Sequence, residues 1–401
     1  MKKSHAIGMI LIAVILMDLL TGMEFDLFVP SFPQLQSHFS LTPFWVEALL
    51  SVNFIGYSLS LFFVGGLADR YGRKPIILIG LITFVIGSVL CLCETVYSFL
   101  LMGRFLQGMG IAAPAILSFL IIADAYPIKQ QQFLFAMLNG SLNTAAAAAP
   151  VIGSYIALYF HWQGNFMALL MLGLITLVMT LFFIPSYQLP KHQEIILPHG
   201  YIQLFRSKPL ILLITTLLFI FVPYWIFVGM SPLLYIKDLG VSLHYFGLYQ
   251  GVLALVFAIG SVLYGFMIKN KEYSQRKMLV ATNLILITSL IMILILCFFN
   301  TKAPLLITIA ITLFVIGQII PSTLLYPICV NFIPEAKGKI SAMLQGGRLI
   351  VSATALQIAG FFYFGSFRNI GIIIASFIFI AVIMLFFTIK NRKLTSHISA
   401  A

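Results

Sequence analysis

Twelve stretches of this chain run for about 20 residues with almost no charge, and that feature leaves few folds open. They cover residues 6–28, 44–67, 76–93, 98–122, 133–157, 165–185, 210–235, 244–268, 278–299, 305–331, 340–365 and 370–389. Backbone inside hydrocarbon has no water to bond, so only helices and closed barrels can cross it. Runs this long suit helices, because barrel strands alternate polar and apolar residues. Composition points the same way: 61% of 401 residues are hydrophobic and 8% charged, against roughly a quarter charged in a soluble domain. The 23 basic and 11 acidic side chains cannot solvate so large a surface. A soluble enzyme, a disordered scaffold and a nucleic-acid binder are excluded. The expected fold class is an all-α integral membrane protein of twelve transmembrane helices.

Basic residues orient the bundle. With the N-terminus inside, inner segments hold 18 Lys and Arg, from Lys2 and Lys3 through Arg70, Arg73 and Lys74 to Lys390, Arg392 and Lys393. Outer loops hold three, Lys237, Lys302 and Arg368, while Arg104 and Arg348 fall within spans. That asymmetry places both termini in the cytoplasm, and the net charge of +12 needs no acidic partner beyond an anionic leaflet. The apolar N-terminus lacks an A-x-A cleavage site and carries Asp18, Glu24 and Asp26, so it is kept as a first span. Cys91, Cys93, Cys297 and Cys329 lie in apolar runs and form neither a disulfide nor a metal framework.

The segment 186–209, with three prolines and two histidines, divides an N-terminal half (1–185) from a C-terminal half (210–389) followed by a tail (390–401). The halves are faintly alike: Phe28-Val29-Pro30 recurs as Phe227-Val228-Gly229, Pro33 as Pro232, and Gly65 with its basic loop as Gly265. An offset near 200 residues suggests duplication into two pseudo-symmetric six-helix halves. Transporters are commonly built this way, with substrate held near the midplane between repeats.

Charges inside the bilayer cost about 3 kcal/mol each on insertion scales, so each is a functional hypothesis. Asp18 lies about 18 Å deep at 1.5 Å per residue, where no surface role is available; it should face a water-filled cavity and bind protons or a cationic substrate. Asp26 is eight residues on, nearly on the same helix face, unless it merely caps the outer end near Pro30; Glu24 points roughly opposite. Arg104, about 9 Å in from the outer face, should pair with this outer part of the first span. Arg348 either snorkels to inner headgroups or faces a cavity.

The loop Gly65-Gly66-Leu67-Ala68-Asp69-Arg70-Tyr71-Gly72-Arg73-Lys74-Pro75 joins spans two and three. Its glycines permit a tight turn and close helix approach, and Arg73 can reach Asp124 in an ion pair that holds one conformation. Pro150 and Gly153, after the run Ala145–Ala149, serve either packing or a hinge. All seven histidines lie in loops or at span ends, so no mid-membrane histidine relay exists. Asn53 and Tyr57, Asn139 and Asn143, Tyr224 and Trp225, Gln345 and Arg348 are candidates to contact a drug-sized substrate.

The whole chain resembles the major facilitator superfamily, and within it the twelve-span drug:proton antiporters of Bcr/CflA type. The segment Gly65-x-Leu67-Ala68-Asp69-Arg70-x-Gly72-Arg73-Lys74 is similar to the superfamily's loop 2–3 motif. Arg104-x-x-Gln107-Gly108-x-Gly110 resembles a fourth-helix motif whose arginine is implicated in proton coupling. Asp26-x-x-x-Pro30-x-x-Pro33 resembles the first-helix motif of drug exporters, and the pair Asp18 and Asp26 is similar to two acidic residues in the first helix of related multidrug facilitators. Ala149-Pro150-x-x-Gly153-Ser154 keeps only part of the antiporter pattern Gly-Pro-x-x-Gly-Gly.

Together these readings describe a proton-coupled secondary transporter of a bacterial inner membrane, exporting a small amphipathic compound (a drug, siderophore or metabolite) by alternating access. Asp18, Glu24, Asp26 and Arg104 are the proton-coupling set, and Gly65, Asp69, Arg70, Gly72, Arg73, Lys74 and Asp124 the gate. The partners expected are protons, a small molecule and lipid, with no nucleic acid, metal or cofactor; the resemblance implies a monomer. No nucleotide-binding motif is visible, so the proton gradient is the energy source. An importer on the same fold, for a metabolite or siderophore, is the alternative. A membrane-embedded enzyme is remote, because no catalytic histidine, serine or metal constellation lies within the spans.

Overall fold

The computed structural model describes residues 2–93, 95–186, 204, 207–269, 274–333, 336–391 and 394, with backbone only for 2–7, 128, 129, 132, 136, 268 and 269. The expected connection 186–209 and tail 390–401 therefore lie outside the described residues except for 186, 204, 207–209, 390, 391 and 394. Histidines 192, 199 and 397, and the side chain of His5, also lie outside them. So do most of the basic residues counted in those two segments.

The described chain is all-helical: α1 (Lys2–Glu24), α2 (Phe32–His38), α3 (Pro43–Tyr71), α4 (Arg73–Cys91), α5 (Tyr97–Ala125), α6 (Ile128–Phe183), α7 (Lys208–Pro232), α8 (Leu243–Lys269), α9 (Gln275–Phe298), α10 (Pro304–Val330), α11 (Lys337–Phe361) and α12 (Phe367–Lys390). Proline opens α3 and α10 at the first position, where its missing N–H costs nothing. Gly72 alone separates α3 from α4, and its φ of 94° is open chiefly to glycine. Ten helical stretches among the described residues are long and apolar enough to cross a bilayer. At 56 residues, α6 would measure about 84 Å, far beyond one crossing of ~30 Å. Its helical dihedrals break at His161 (φ 56°, ψ −170°), which separates two span-length pieces.

Two sequence expectations need correction. The first span does not run as one helix to residue 28: α1 stops at Glu24, and Val29–Ser31 form a 3-10 turn before α2. Pro30 and Pro33 each open one of these short segments. The second-half counterpart behaves differently, since Phe227-Val228-Gly229 continues inside α7 to Pro232 and a π-helical turn, Leu233–Asp238. Gly229 supplies an N–H where Pro30 cannot.

The chain divides into two compact units, Met1–Ile196 with Leu243–Gly251, and Leu197–Ser242 with Val252–Ala401. In the first, α5 packs along α3 and α4, and α1 along α6. Without a hydrophobic driving force between helices in lipid, close approach depends on small residues. A Cβ on Gly87 would lie 2.6 Å from the Gly103 carbonyl, one on Gly110 2.5 Å from that of Gly80, and one on Gly22 2.5 Å from that of Leu142. In the second unit α9 packs on α10 and α12, and α7 on α11 and α12. Thr216 and Thr388 hydroxyls meet at 2.9 Å between α7 and α12, and Ser289 donates to the Ala310 carbonyl at 3.0 Å between α9 and α10. Large apolar side chains such as Phe63, Phe182 and Phe298 are exposed, as a lipid-facing surface requires.

Candidate functional site

The first unit encloses a charged cluster in its apolar interior. Arg104 on α5 and Glu24, the last residue of α1, are both fully buried, and Arg104 Nη1 meets Glu24 Oε1 at 2.8 Å. Asn53 Nδ2 on α3 donates to the same carboxylate oxygen at 2.6 Å and to the Arg104 carbonyl at 3.0 Å. Arg104 Nη1 also donates to Gln107 Oε1 at 2.6 Å, and Gln107 Nε2 donates to Ser88 Oγ on α4 at 2.8 Å. Arg104 Nε reaches the Leu49 carbonyl at 3.4 Å, and the guanidinium lies 4.0 Å from the centre of the Phe28 ring. Four helices are thus tied through one arginine. Hydrogen-bonding capacity is left over: Glu24 Oε2, Asn53 Oδ1 and Arg104 Nη2 make no hydrogen bond.

The motif around Arg104 acquires a physical meaning residue by residue. Gln107, one turn on, accepts from the guanidinium. Gly108 admits the α3 backbone, since a Cβ there would overlap the Asn53 carbonyl. Gly110 admits α4 at Gly80 and Phe84. Any side chain at those two positions would push the helices apart and pull Asn53 and Ser88 away from the cluster.

Arg104 pairs with the outer part of the first span, as expected, and its partner is Glu24. Asp26 lies past the helix end, buried (6% exposed), with Oδ1 unpartnered. The eight-residue spacing therefore does not place Asp18 and Asp26 on one helix face. Asp18 does not open onto a water-filled cavity either: it is 1% exposed beside Ser118 of α5, and its Oδ2 is unpartnered. The packing of α1 against α5 and α6 closes that face.

At the α3–α4 turn, Arg73 Nη1 donates to Asp69 Oδ1 at 2.9 Å and Arg73 Nε to Asp124 Oδ2 at 3.2 Å. Lys74 Nζ donates to the Leu181 carbonyl at 2.8 Å, and Arg70 lies over the Tyr71 ring at 5.1 Å. Gly65 and Gly66 belong to α3 and a Cβ on either would meet nothing within 4 Å, so neither makes the turn or a close contact; Gly72 makes the turn.

Pro150 sits within a continuous stretch of α6, whose break lies instead at His161. Gly153 is a contact point, where a Cβ would overlap the Leu27 carbonyl, and its own carbonyl accepts from Asn165 Nδ2 at 3.2 Å. The substrate candidates are divided between the two units. Asn53 is consumed in the charged cluster, and Tyr57 packs on Phe25. Asn139 and Asn143 are exposed on α6, with Asn139 bonded back to the Phe135 carbonyl. In the second unit Gln345 and Arg348 line a small recess with Phe221 and Tyr326; the Arg348 guanidinium lies 4.9 Å from the Phe221 ring centre, and Tyr224 packs on Trp225 one turn away.

Sequence reasoning passed over Glu47. It is fully buried near the start of α3, four residues after Pro43, with neither carboxylate oxygen hydrogen-bonded. Gln107 was quoted only as part of a motif, although its i, i+3 spacing from Arg104 puts both on one helix face.

Comparison with known proteins agrees with this architecture. The family model described as the Major Facilitator Superfamily matches residues 14–356. A multidrug resistance protein MdtL from Escherichia coli O9:H4 (strain HS) is 32% identical over 157 residues, 39% of this chain and 40% of that protein; MdtL of Shigella boydii serotype 18 matches equally. The match thus spans about two fifths of the length of these relatives. Among solved structures, a D-xylose–proton symporter aligns over 94% of this chain and 97% of its own with a TM-score of 0.74 at 14% identity. An inward-facing, occupied bacterial homologue of the human lysosomal transporter Spinster aligns over 96% and 97% with a TM-score of 0.76 at 16% identity. At such identities the likeness is one of fold. A helical membrane fold shared with two transporters, together with a family match over most of its length, makes this multi-pass chain a transporter of the major facilitator superfamily.

Proposed function

We propose that this chain is a proton-coupled exporter of small amphipathic compounds, working by alternating access across a bacterial inner membrane with twelve spans and both termini in the cytoplasm. The observation that carries the reading is the buried Glu24–Arg104 pair with Asp18 and Asp26 enclosed in the same unit. Unpaired charge in hydrocarbon is costly, so a carboxylate that gains or loses a proton must gain or lose its partner as well. Protonating Glu24 would free Arg104 from α1 while Gln107 and Leu49 still hold it to α3 and α5. That change of partner links proton uptake to a movement of α1 relative to α5. Asp18 and Asp26 serve as further proton or substrate-cation sites. The Asp69–Arg73–Asp124 link serves as the inner gate. Asn139, Asn143, Tyr224, Trp225, Gln345 and Arg348 remain the substrate contacts proposed within each unit. Relatives named as multidrug resistance proteins support export, and drugs, polyamines and siderophores are the compounds to try.

The direct test uses proteoliposomes loaded with a candidate compound under an imposed pH gradient. Antiport predicts that compound leaves the side towards which protons move, and that a protonophore stops it. Movement of compound and protons in the same direction would instead establish a symporter.

A further inference from the structure

The first unit carries a second feature, remote from the charged cluster. A groove of about 760 Å³ opens between α3 and α4, from Leu59 and Thr83 at one end to Tyr71 and Pro75 at the other, floored by Met109 and Ala113 of α5. It arises from how the helices cross. Towards Asn53 and Gly56, α3 lies hard against α5 at Gly108 and Phe105, while α4 sinks onto α5 where Gly80 meets Gly110. Beyond Gly56 α3 keeps one face buried, at Leu61, Val64 and Ala68, while Gly65 and Gly66 have nothing within 4 Å. The two helices are joined through Gly72 at the basic turn, and the groove lies along them from that turn to Leu59 and Thr83.

The groove is apolar throughout most of its surface. Thr83 satisfies its hydroxyl on the Ile79 carbonyl at 2.8 Å, and the rim residues Phe63 and Ile79 are 60% and 61% exposed. Its lining on α3 runs from Leu59 to Tyr71, about 18 Å at 1.5 Å per residue, close to the half-thickness of a ~30 Å hydrocarbon core. Such a slot spans one leaflet and no more. Its mouth is basic. Arg73 is committed to Asp69 and Asp124, and Lys74 to the Leu181 carbonyl. Arg70 lies over the ring of Tyr71, which itself lines the groove, and has no carboxylate partner among the described residues.

We propose that this groove is a binding site for one acidic phospholipid, with an acyl chain between α3 and α4 and the headgroup phosphate on Arg70. An apolar slot one leaflet deep with a cation at its mouth matches a chain carrying an anionic head. A lipophilic cation would meet the same apolar walls but be repelled by Arg70 and Lys74. The site adjoins the Asp69–Arg73–Asp124 link, so its lipid would be in place to report leaflet composition to that turn.

The test is native mass spectrometry of the full chain after incubation with equal amounts of phosphatidylglycerol and phosphatidylcholine bearing identical chains. The wild type is expected to retain one lipid with at least a tenfold preference for phosphatidylglycerol. Arg70→Gln should bring that preference close to unity while a lipid is still retained. Thr83→Trp, which fills the slot, should abolish retention of both; Leu59→Trp, at a half-exposed rim position, serves if the first substitution unfolds the protein. Absence of headgroup preference in the wild type, its survival in Arg70→Gln, or undiminished retention in a folded Trp variant would each overturn the proposal. So would competitive displacement of the lipid by tetraphenylphosphonium, which would assign the groove to a cationic substrate.

Discussion

Replacing Glu24 by Gln removes one charge from a pair that is wholly out of water, and leaves the Arg104 guanidinium buried without a counterion. Breaking a buried pair by deleting one partner costs about 3–5 kcal/mol, because the remaining charge is desolvated for nothing in return. The lower end applies here. The introduced amide retains an oxygen able to accept from Asn53 and Arg104, Gln107 and Leu49 continue to accept from the guanidinium, and the Phe28 face adds a desolvated cation–π contact of about 2 kcal/mol. We expect a loss near 3 kcal/mol, about a hundredfold in the unfolding equilibrium at 1.4 kcal/mol per tenfold. Adding Arg104→Met removes the stranded charge, so the double variant should regain much of this loss, with a coupling of about 2 kcal/mol in the double-mutant cycle. Equilibrium unfolding in mixed micelles, followed by circular dichroism, reads all four corners. A Glu24→Gln protein within about 1 kcal/mol of wild type, with additive single effects, would refute the reasoning, since Glu24 would then carry no charge in the resting protein.

Three further outcomes follow. Gly108→Ala should destabilise the protein by about 1–3 kcal/mol, since overpacking forces backbone shifts and the added methyl meets the Asn53 carbonyl, whereas Gly65→Ala, facing open space, should leave thermal stability unchanged or slightly raised. Arg73→Ala should shift stability by no more than about 1 kcal/mol, because both its ion pairs are partly exposed, yet slow transport in vesicles if the link is a gate; an unchanged rate would remove that role. Past the end of α11 at Phe361, burial and the Asp238 carboxylate, which accepts a hydrogen bond from the Tyr363 hydroxyl, push the Tyr363 phenol above its usual range. The unfolded chain then ionises first, so above a pH of about 10 wild type should lose stability with rising pH faster than Tyr363→Phe, measured by alkaline thermal melts.

The fold was legible in the sequence because lipid makes secondary structure obligatory: an apolar run of 20 residues has nothing else to become. The cluster was legible in part. Arg104 and the acidic residues of the first span stood out as charges without a surface, and Arg73 with Asp124 as a pair within reach. What stayed hidden depended on where backbone stops being helical. The α1 end at Glu24, set by a proline-punctuated segment, moved Asp26 off the expected helix face and left Glu24 to pair with Arg104. Glu47 was passed over and Gly65 misread for a related reason, because position along a run does not say which face a neighbour covers. Glu47 proved fully enclosed and Gly65 open. Substrate contacts were the least legible, since asparagines and aromatics in apolar helices serve packing and networks as readily, as Asn53 and Tyr57 do.

The central claim is that proton movement and substrate movement share the buried carboxylates of the first unit. Its most direct measurement is proton release from purified, detergent-solubilised protein on addition of candidate compounds, compared among wild type, Glu24→Gln, Asp18→Asn and Asp26→Asn. The account predicts compound-dependent release in wild type that disappears in at least one variant still able to bind compound. Binding without proton release in wild type, or equal release in all three variants, would contradict it.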